Sequence, residues 1–333
     1  MNQPLVSVIM PVWNVEKFIE RAVTSILNQT YANIELIVID DNTPDDSMLK
    51  VNQLCTLFPT KEVHMYSHDK NKGLGAARLT GLMKAKGEYV LFVDSDDYVE
   101  SDYVDKMIDV ALAAESDIVI SDYFISYINS EVYCSQLFKG SGIELALAIM
   151  EGRLQGFLWN KLIRRNIFFD NNVFPIEGIN MWEDVCLICR LAYFAKRISY
   201  LPQAFCHYNQ MNMSSYSTCK IAYNSVDNLL KAVTLIEEFY KVNKHVIITQ
   251  NTIESFKLMA KTFCLMRSSK EVRKRLFYCY PKLKWHFIYR KLTPCYAHLI
   301  LLFNVCRVDF MIDWFNNFLY MGRKVKLFVV GRI

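Results

Sequence analysis

The sequence lacks the long apolar run that a membrane-spanning helix requires. Its longest uncharged apolar stretch, from Leu292 to Val305, is interrupted by threonine, proline, histidine and asparagine, whereas a spanning helix needs about 20 mostly apolar residues. The first ten residues have no basic segment, and their apolar run is broken by Ser7. We therefore expect neither a transmembrane segment nor a signal peptide.

A disulfide or zinc framework is also missing. The ten cysteines are scattered, and only Cys186 and Cys189 form a C-x-x-C pair, with no second pair at zinc-finger spacing. Both fall within a helical pattern that puts them on one face, which favours buried thiols over a metal or redox site. Without an export signal, we expect reduced cysteines and a cytoplasmic protein.

Glycine and proline are scarce, with 11 and 8 residues in a chain of 333. The apolar fraction of 52% and the charged fraction of 22% are close to globular averages. This composition excludes a globally disordered or collagen-like chain. The length corresponds to roughly two domains.

Short apolar runs alternate with segments of helical period over the first 120 residues. The pattern predicts strands at Val6–Met10, Ile34–Ile39, Val63–Tyr66, Tyr89–Val93 and Ile118–Ile120, with helices between them that include Gly75–Lys84 and Ser101–Ala114. Such alternation predicts an α/β fold with a doubly wound, mostly parallel sheet. Further helices are expected at Ile143–Leu154 and Glu183–Lys196, strands at Ile198–Leu201 and Phe205–Asn209, and helices throughout the chain after Lys220.

Polar clusters follow three of the predicted strands, at Pro11–Asn14, Asp40–Thr43 and Asp94–Asp97. Ligands of parallel sheets bind beyond the carboxyl ends of the strands. The last cluster contains three carboxylates in four residues, and such crowding suits Mg²⁺ or Mn²⁺. The alternative is a solvated turn that caps the next helix.

The pair Gly73-Leu74-Gly75 does not form a dinucleotide fingerprint. Its third glycine position holds Arg78, and the first strand–helix turn contains no glycine. A nicotinamide enzyme is therefore not expected. The glycines instead favour a helix start that brings Arg78 to the sheet edge, where it can meet a phosphate or form a surface ion pair.

In order and spacing, these segments resemble glycosyltransferase family 2 over about residues 4 to 215. The resemblance rests on Val6–Asn14, on the Ile34–Thr43 segment with its Asp40-Asp41-Asn42, on Asn71–Arg78 and on Asp94-Ser95-Asp96-Asp97. Trp159–Arg165 and Trp182-Glu183-Asp184 are similar to acceptor-side motifs of members that build capsular, lipopolysaccharide or exopolysaccharide chains. The resemblance implies the GT-A fold, with a nucleotide-sugar half at 1–120 and an acceptor half at 121–215, followed by a helical basic and aromatic region at 220–333.

The resemblance also implies roles on the donor side. Pro11, Val12 and Trp13 would line the nucleobase pocket, Asp41 would bond the base, usually uracil, and Arg78 would lie near the diphosphate. Asp96 resembles the direct ligand of Mg²⁺ or Mn²⁺ in a D-x-D motif, in which Ser95 is the central residue and Asp94 contacts the metal or the nucleotide-sugar.

On the acceptor side, Asp184 resembles the catalytic base, and Glu183 its neighbour or an acceptor contact. Trp159, Lys161 and Trp182 would belong to the acceptor side, although core or surface roles fit Trp159 and Lys161 equally well. Two residues depart from the family pattern: Leu79 replaces a common Asn, and Asn209 a common Arg. His207 could contact phosphate or metal in its place, but a satisfied structural histidine is favoured.

The hypothesis is an inverting, metal-dependent glycosyltransferase that uses a nucleotide-diphosphate sugar, expected to be a UDP-sugar, and a glycan or polyprenyl-linked acceptor in surface polysaccharide synthesis. One alternative is a nucleotidyltransferase, which would need a glycine- and lysine-rich first turn that this chain lacks. The other is a non-catalytic nucleotide-sugar-binding protein of the same fold. The presence of both Asp96 and Asp184 argues against the second alternative.

The net charge of +4 conceals a division along the chain. From Arg267 to Ile333, 14 Lys and Arg residues stand against three acidic residues, a net charge of +11, and the remainder carries −7. Basic and aromatic residues that alternate in this way favour an anionic membrane surface, here the inner face of the plasma membrane, in preference to nucleic acid. The alternative is a helical domain packed on the core or on a second copy of the chain.

Overall fold

A computed structural model describes residues 3–213, 215, 221–280, 295–308, 310–315 and 318. The chain divides into two compact units. One comprises Met1–Ile149 and Leu154–Asn212, and the other comprises Met150–Arg153 and Met213–Ile333.

The first unit is built on one sheet of nine strands. These are β1 (Val6–Val12), β2 (Ile34–Asp40), β3 (Glu62–Ser67), β4 (Tyr89–Phe92), β5 (Tyr98–Val99), β6 (Ile118–Tyr127), β7 (Ser130–Cys134), β8 (Lys161–Arg164) and β9 (Ile198–Asn209). The order is β3-β2-β1-β4-β8-β6-β9-β5, with β7 paired to β6. The strands β3, β2, β1 and β4 are parallel, and β8 runs antiparallel between β4 and β6.

Seven helices connect these strands. They are α1 (Ile19–Leu27), α2 (Ser47–Leu57), α3 (Leu74–Lys84), α4 (Tyr103–Ala113), α5 (Gly142–Met150), α6 (Asn166–Asp170) and α7 (Glu183–Phe194). The predicted α/β fold with a mostly parallel sheet is confirmed. The alternation missed β5, β7 and β8, and it divided β9 into two strands.

The core lies where uniformly apolar strands meet the apolar faces of the helices. Every residue of β1 is buried, and α1 buries Ile19, Val23 and Ile26 against it. α1 begins at Ile19, and Asn14 takes a left-handed φ of 55° in the preceding loop. Cys186 and Cys189 are buried on α7, as predicted.

The second unit is helical in its described part, as the sequence predicted. Its helices include α8 (Tyr223–Val242), α9 (Gln250–Arg267), α10 (Lys270–Leu276) and α11 (Cys295–Val305). Arg273 is buried, donates from Nε to the Leu265 carbonyl at 2.9 Å and pairs with Asp313 at 2.6 Å. None of the described helices is long and apolar enough to cross a bilayer.

Much of the predicted basic and aromatic surface lies outside the described residues. This applies to Lys282, Lys284, Trp285, Phe287, Tyr289, Arg290, Lys291, Arg323, Lys324 and Lys326. Among the described basic residues, Arg275 pairs with Asp227. Part of the positive charge of this region is therefore neutralised within the second unit.

Candidate functional site

The loops that follow β1 and β2 lie side by side and are connected by hydrogen bonds. The backbone N–H of Asn14 donates to Thr43 Oγ1 at 2.8 Å, and that of Glu16 donates to Asp45 Oδ2 at 2.8 Å. Pro11 and Val12 are buried behind them, whereas Trp13 is 46% exposed. An indole held open at the carboxyl edge of a parallel sheet can stack on a planar ligand.

Asp41 is occupied by contacts within the protein. It is 3% exposed and accepts hydrogen bonds from the backbone N–H groups of Lys72 and Gly73, at 2.8 and 2.7 Å. His68 Nδ1 lies 2.7 Å from the same carboxylate. Asp41 therefore fixes the loop that precedes α3, and its contact with a nucleobase stays a prediction.

The two glycines at the start of α3 permit a close approach to the 176–180 loop. Gly73 has a φ of +88°, and a Cβ there would lie 2.2 Å from the side chain of Asn180. A Cβ on Gly75 would lie 2.5 Å from the carbonyl oxygens of Ile176 and Ile179. The glycines thus bring α3 against the segment that leads into α7.

This packing places Arg78 between two carboxylates. Its Nη2 lies 2.6 Å from Asp94 Oδ1, and its Nη1 donates to Glu183 Oε1. Burial opposes the charge on Arg78, but Asp94 and Glu183 raise the pKa of the guanidinium above its usual value. The immediate partners of Arg78 are therefore acidic side chains, and its position near a donor diphosphate stays a prediction.

Burial and the charge of Asp184 raise the pKa of Glu183 to about 7, although Arg78 opposes this shift. One guanidinium is shared by Asp94, Glu183 and the nearby Asp184, so it cannot neutralise all three. Glu183 is 8% exposed and bonded to Arg78. Glu183 therefore lies beside Asp184 with its carboxylate bonded to Arg78, and its contact with an acceptor stays a prediction.

The turn that follows β4 carries the D-x-D segment. Ser95 and Asp97 are buried and Asp96 is half-buried. Burial and the charge of Asp94 raise the pKa of Asp96 to about 6, and burial also raises that of Asp97 well above its usual value. Asp97 Oδ2 is buried without a hydrogen-bond partner. A cation would relieve this concentration of negative charge, so the turn fits a divalent metal bound by oxygen ligands.

Two asparagines that the sequence reasoning did not assign to the site hold this turn from β9 and just beyond it. The backbone N–H of Asn209 donates to Asp97 Oδ1 at 2.8 Å, and its Nδ2 donates to the Asp96 carbonyl at 3.0 Å. Asn212 donates to Asp96 Oδ2 at 2.8 Å. In sequence, Asn209 is only a departure from the family pattern, and nothing local indicates contacts between residues more than 110 positions apart.

Asp184 lies in the first turn of α7, where the helix dipole favours a negative charge. It is half-buried, and its Oδ1 accepts from the Val185 N–H at 2.7 Å. Burial raises the pKa of Asp184, opposed by Arg78. Trp182, half-buried with a left-handed φ of 60°, immediately precedes the helix. Within Trp182-Glu183-Asp184, the guanidinium of Arg78 pairs with Glu183 and not with Asp184.

Trp159 and Lys161 support the site from within the core. Lys161 is 1% exposed, and its Nζ donates to the carbonyls of Gln155 and Phe157 and to Asn160 Oδ1 at 2.6 to 3.1 Å. Trp159 is 4% exposed and stacks on Phe157 with 4.7 Å between ring centroids. Both side chains therefore lie in the core, a role that the sequence left open, and acceptor contact by either residue stays a prediction.

His207 is a satisfied structural histidine, as favoured by the sequence. Its Nδ1 lies 2.7 Å from Glu131 and its Nε2 lies 2.9 Å from Glu100. The ring also stacks on Tyr98 at 4.2 Å. These contacts pin β9 beside β5, directly after the D-x-D turn.

The sheet order and the helices around it are those of the GT-A fold, and comparisons with known proteins agree. Residues 7–169 match glycosyl transferase family 2. The chain is 30% identical to the glycosyltransferase EpsH of Bacillus subtilis over 81% of this chain and 76% of EpsH. The chain belongs to glycosyltransferase family 2.

Two solved structures share the fold. TarS of S. aureus, in complex with UDP-GlcNAc, matches with a TM-score of 0.60 and 19% identity over 92% of this chain and 90% of that one. The mannosyltransferase PcManGT of Pyrobaculum calidifontis, in complex with GDP-Man and Mn²⁺, matches with a TM-score of 0.52 and 15% identity over 92% of this chain and 88% of that one.

Proposed function

We propose that this glycosyltransferase is an inverting, metal-dependent enzyme that moves a hexosyl or N-acetylhexosaminyl group from a UDP-sugar to a glycan or lipid-linked acceptor in surface polysaccharide synthesis. The observation that carries the proposal is the acidic group around Arg78. In this group, Asp94 and Glu183 are bonded to the guanidinium, and Asp184 follows Glu183 directly in the first turn of α7.

The donor would bind beyond the carboxyl ends of β1, β2 and β4. Trp13 would stack on the base over Pro11 and Val12, while Asp41 would act indirectly by holding the Lys72–Gly73 backbone. TarS, which shares the fold, binds UDP-GlcNAc. This likeness supports a UDP-sugar as the donor class.

Asp96 and Asp94 would hold the divalent cation, with Ser95 between them in the turn. Mg²⁺ is typically held by one or two carboxylates together with substrate phosphates, and PcManGT contains Mn²⁺. Either ion, when bound, would offset the charge of the leaving diphosphate. Asn209 and Asn212 would keep Asp96 in position through the contacts described above.

Asp184 would act as the base that takes the proton from the acceptor hydroxyl. An inverting transfer needs a carboxylate on the face opposite the leaving group, and the transition state should resemble an oxocarbenium ion by analogy with glycoside hydrolysis. Arg78 and Glu183 would act as positioning residues. Because the ion pair satisfies Glu183, Asp184 remains available to the acceptor, with Trp182 beside it.

The alternatives are less well supported. A nucleotidyltransferase needs an activation loop in the first strand–helix turn, where this chain has Pro11-Val12-Trp13-Asn14. A non-catalytic binding protein would have no use for the acidic pair at Asp96 and Asp184.

The second unit would hold the enzyme at an anionic membrane on the cytoplasmic side, close to a lipid-linked acceptor. Phe310, Trp314 and Phe318 are spaced by four residues and are 70%, 62% and 58% exposed. Residues four apart lie on one helix face, and exposed aromatics beside basic residues suit the headgroup region. The net charge of +11 from Arg267 onwards supports an acidic lipid surface.

The donor class can be tested by measuring nucleotide release from a panel of nucleotide sugars in the presence of Mn²⁺. We expect release from UDP-sugars that falls at least about 100-fold in Asp96→Asn, because several kcal/mol of charge stabilisation depend on the metal. Asp109→Asn, an exposed aspartate on α4, is the matched control and should behave as wild type. Equal release by Asp96→Asn and wild type would contradict the metal-dependent mechanism.

A further inference from the structure

A second cluster of possible metal ligands lies at the opposite end of the strands from the donor loops. Glu35 is the second residue of β2, Glu62 the first of β3 and His64 the third. Glu35 and Asp41 are six residues apart along extended chain, which corresponds to roughly 20 Å. The cluster is therefore separate from the D-x-D turn.

The register of two parallel strands explains why the three side chains meet. Glu35 pairs with Glu62, and Ile37 pairs with His64. Side chains two residues apart in a strand share a face, so Glu35, Glu62 and His64 project from the same side. Their ligand atoms all lie within 4.8 Å of one another, and they are the only such group of three in the described part of the chain.

Glu35 supplies the observation that points to a ligand. The residue is 0% exposed, and its Oε1 accepts from Ser7 Oγ at 2.5 Å and from the N–H groups of Lys86 and Gly87 at 2.7 and 3.1 Å. Its Oε2 is buried with no hydrogen-bond partner and lies 3.8 Å from His64 Nε2. An unsatisfied buried carboxylate oxygen is unfavourable, and here it is aimed at an imidazole and a second carboxylate.

We propose that Glu35, Glu62 and His64 bind Zn²⁺. One imidazole nitrogen and two carboxylate oxygens suit zinc, with the fourth position left to water. Mg²⁺ and Ca²⁺ prefer oxygen ligands throughout. Tetrahedral ligands of zinc lie about 3.3 Å apart for bonds of about 2.0 Å. Glu62 and His64 can adjust to this spacing, since their side chains are 50% and 32% exposed.

The bound ion would link side chains of β3, the edge strand, to a side chain of β2. β3 is the terminal strand of the sheet order, and an edge strand has unpaired backbone groups and one neighbour only. Glu35 is already fixed to β1 and to the turn before β4 through Ser7 and Gly87. Zinc would extend this linkage to the edge strand and stabilise it.

The test is Zn²⁺ binding to the full-length protein after removal of metal by a chelator, with Zn²⁺ alone as the probe. The variants are His64→Gln and Glu62→Gln, both at partly exposed positions, so that either can decide the question if the other folds poorly. His245→Gln and Glu115→Gln, which change exposed residues outside the cluster, are the matched controls. Melting temperature with and without Zn²⁺ is the second readout.

We expect wild type and the controls to bind one zinc ion that both variants lose or bind at least ~10-fold more weakly, since removal of an outer-shell partner alone costs 10- to 100-fold. Zn²⁺ should raise the melting temperature of wild type and the controls but not of the variants. Zinc binding that is unchanged in His64→Gln and Glu62→Gln would overturn the proposal. An absence of zinc binding by wild type would overturn it as well.

Discussion

At the scale of single residues, the site depends on how charge is shared around Arg78. A buried ion pair is favourable only where geometry and hydrogen bonds compensate for the loss of water. Arg78 meets this condition twice, through Asp94 from the turn after β4 and Glu183 from α7. It therefore couples the proposed metal-binding turn to the helix that carries the proposed base.

Substitution of Arg78 by methionine should destabilise the protein by about 3–5 kcal/mol, because the buried Glu183 and the partly buried Asp94 would lose their cation. Urea denaturation followed by tryptophan fluorescence measures this change in the free energy of unfolding. Arg153→Met is the matched control. Arg153 pairs with Glu151 at 2.7 Å, and its side chain is 59% exposed, so loss of this pair should cost about 1 kcal/mol or less. Equal effects of the two substitutions would contradict the role given to Arg78.

The residue types at the site could be predicted from sequence, but their pairings could not. Arg78, Asp94 and Glu183 all belong to recognisable motifs, yet Arg78 and Glu183 are 105 positions apart. Nothing local distinguishes a buried lysine such as Lys161 from a surface one either. Its burial follows from the three oxygen acceptors around Nζ, which only the folded chain brings together.

At the scale of elements, the start of α3 packs against the segment that precedes α7, and this packing places Arg78 next to Glu183. Glycine inside a helix is usually less stable than alanine by about 1 kcal/mol. Gly75 nevertheless lies within α3, because a side chain there would collide with the backbone of the 176–180 loop. Packing against this loop therefore outweighs helix propensity at this position.

Gly75→Ala should lower both the melting temperature and the rate of sugar transfer, since the loop before α7 would have to move. Calorimetry and the nucleotide-release assay provide the two measurements. Gly140→Ala is the control, because the nearest atom to its added Cβ is the movable Glu144 carboxylate. A melting temperature for Gly75→Ala above that of wild type would show that propensity dominates and that the close approach is unimportant.

The parallel strands could be predicted because each is apolar along most of its length and ends in a polar cluster. Strands β5, β7 and β8 have only two, five and four residues, too few for a clear pattern in the sequence. Their pairing is determined by neighbours far along the chain. β8, for example, fits antiparallel between β4 and β6.

At the scale of the whole molecule, the net charge and the exposed aromatic residues differ between the part before Arg267 and the part that follows. The part that precedes Arg267 carries a net charge of −7 and contains the proposed carboxylates of the transfer site. The remaining part is basic and contains Phe310, Trp314 and Phe318 at the surface. Arg273 and Arg275 form ion pairs within the second unit, with Asp313 and Asp227. Composition alone could not reveal these pairs.

The double substitution Phe310→Ser/Trp314→Ser should weaken binding to anionic vesicles at least about tenfold, since each buried aromatic side chain contributes about 1.5–3 kcal/mol. Flotation of the full-length protein with vesicles of phosphatidylglycerol and phosphatidylcholine measures the bound fraction. Ile128→Ser/Leu137→Ser, which removes two exposed apolar residues of the first unit, is the control. Equal flotation of both double variants would contradict membrane contact through this face.

The central claim is that Asp184 removes the proton from the acceptor while its neighbours Arg78 and Glu183 position it. The most direct test compares kcat for sugar transfer and the Kd for the donor nucleotide in wild type and Asp184→Asn, with Asp170→Asn at an exposed position as the control. We predict a loss of kcat of about 10²- to 10⁴-fold, with donor affinity and the control unchanged. Transfer by Asp184→Asn at the wild-type rate would contradict the account.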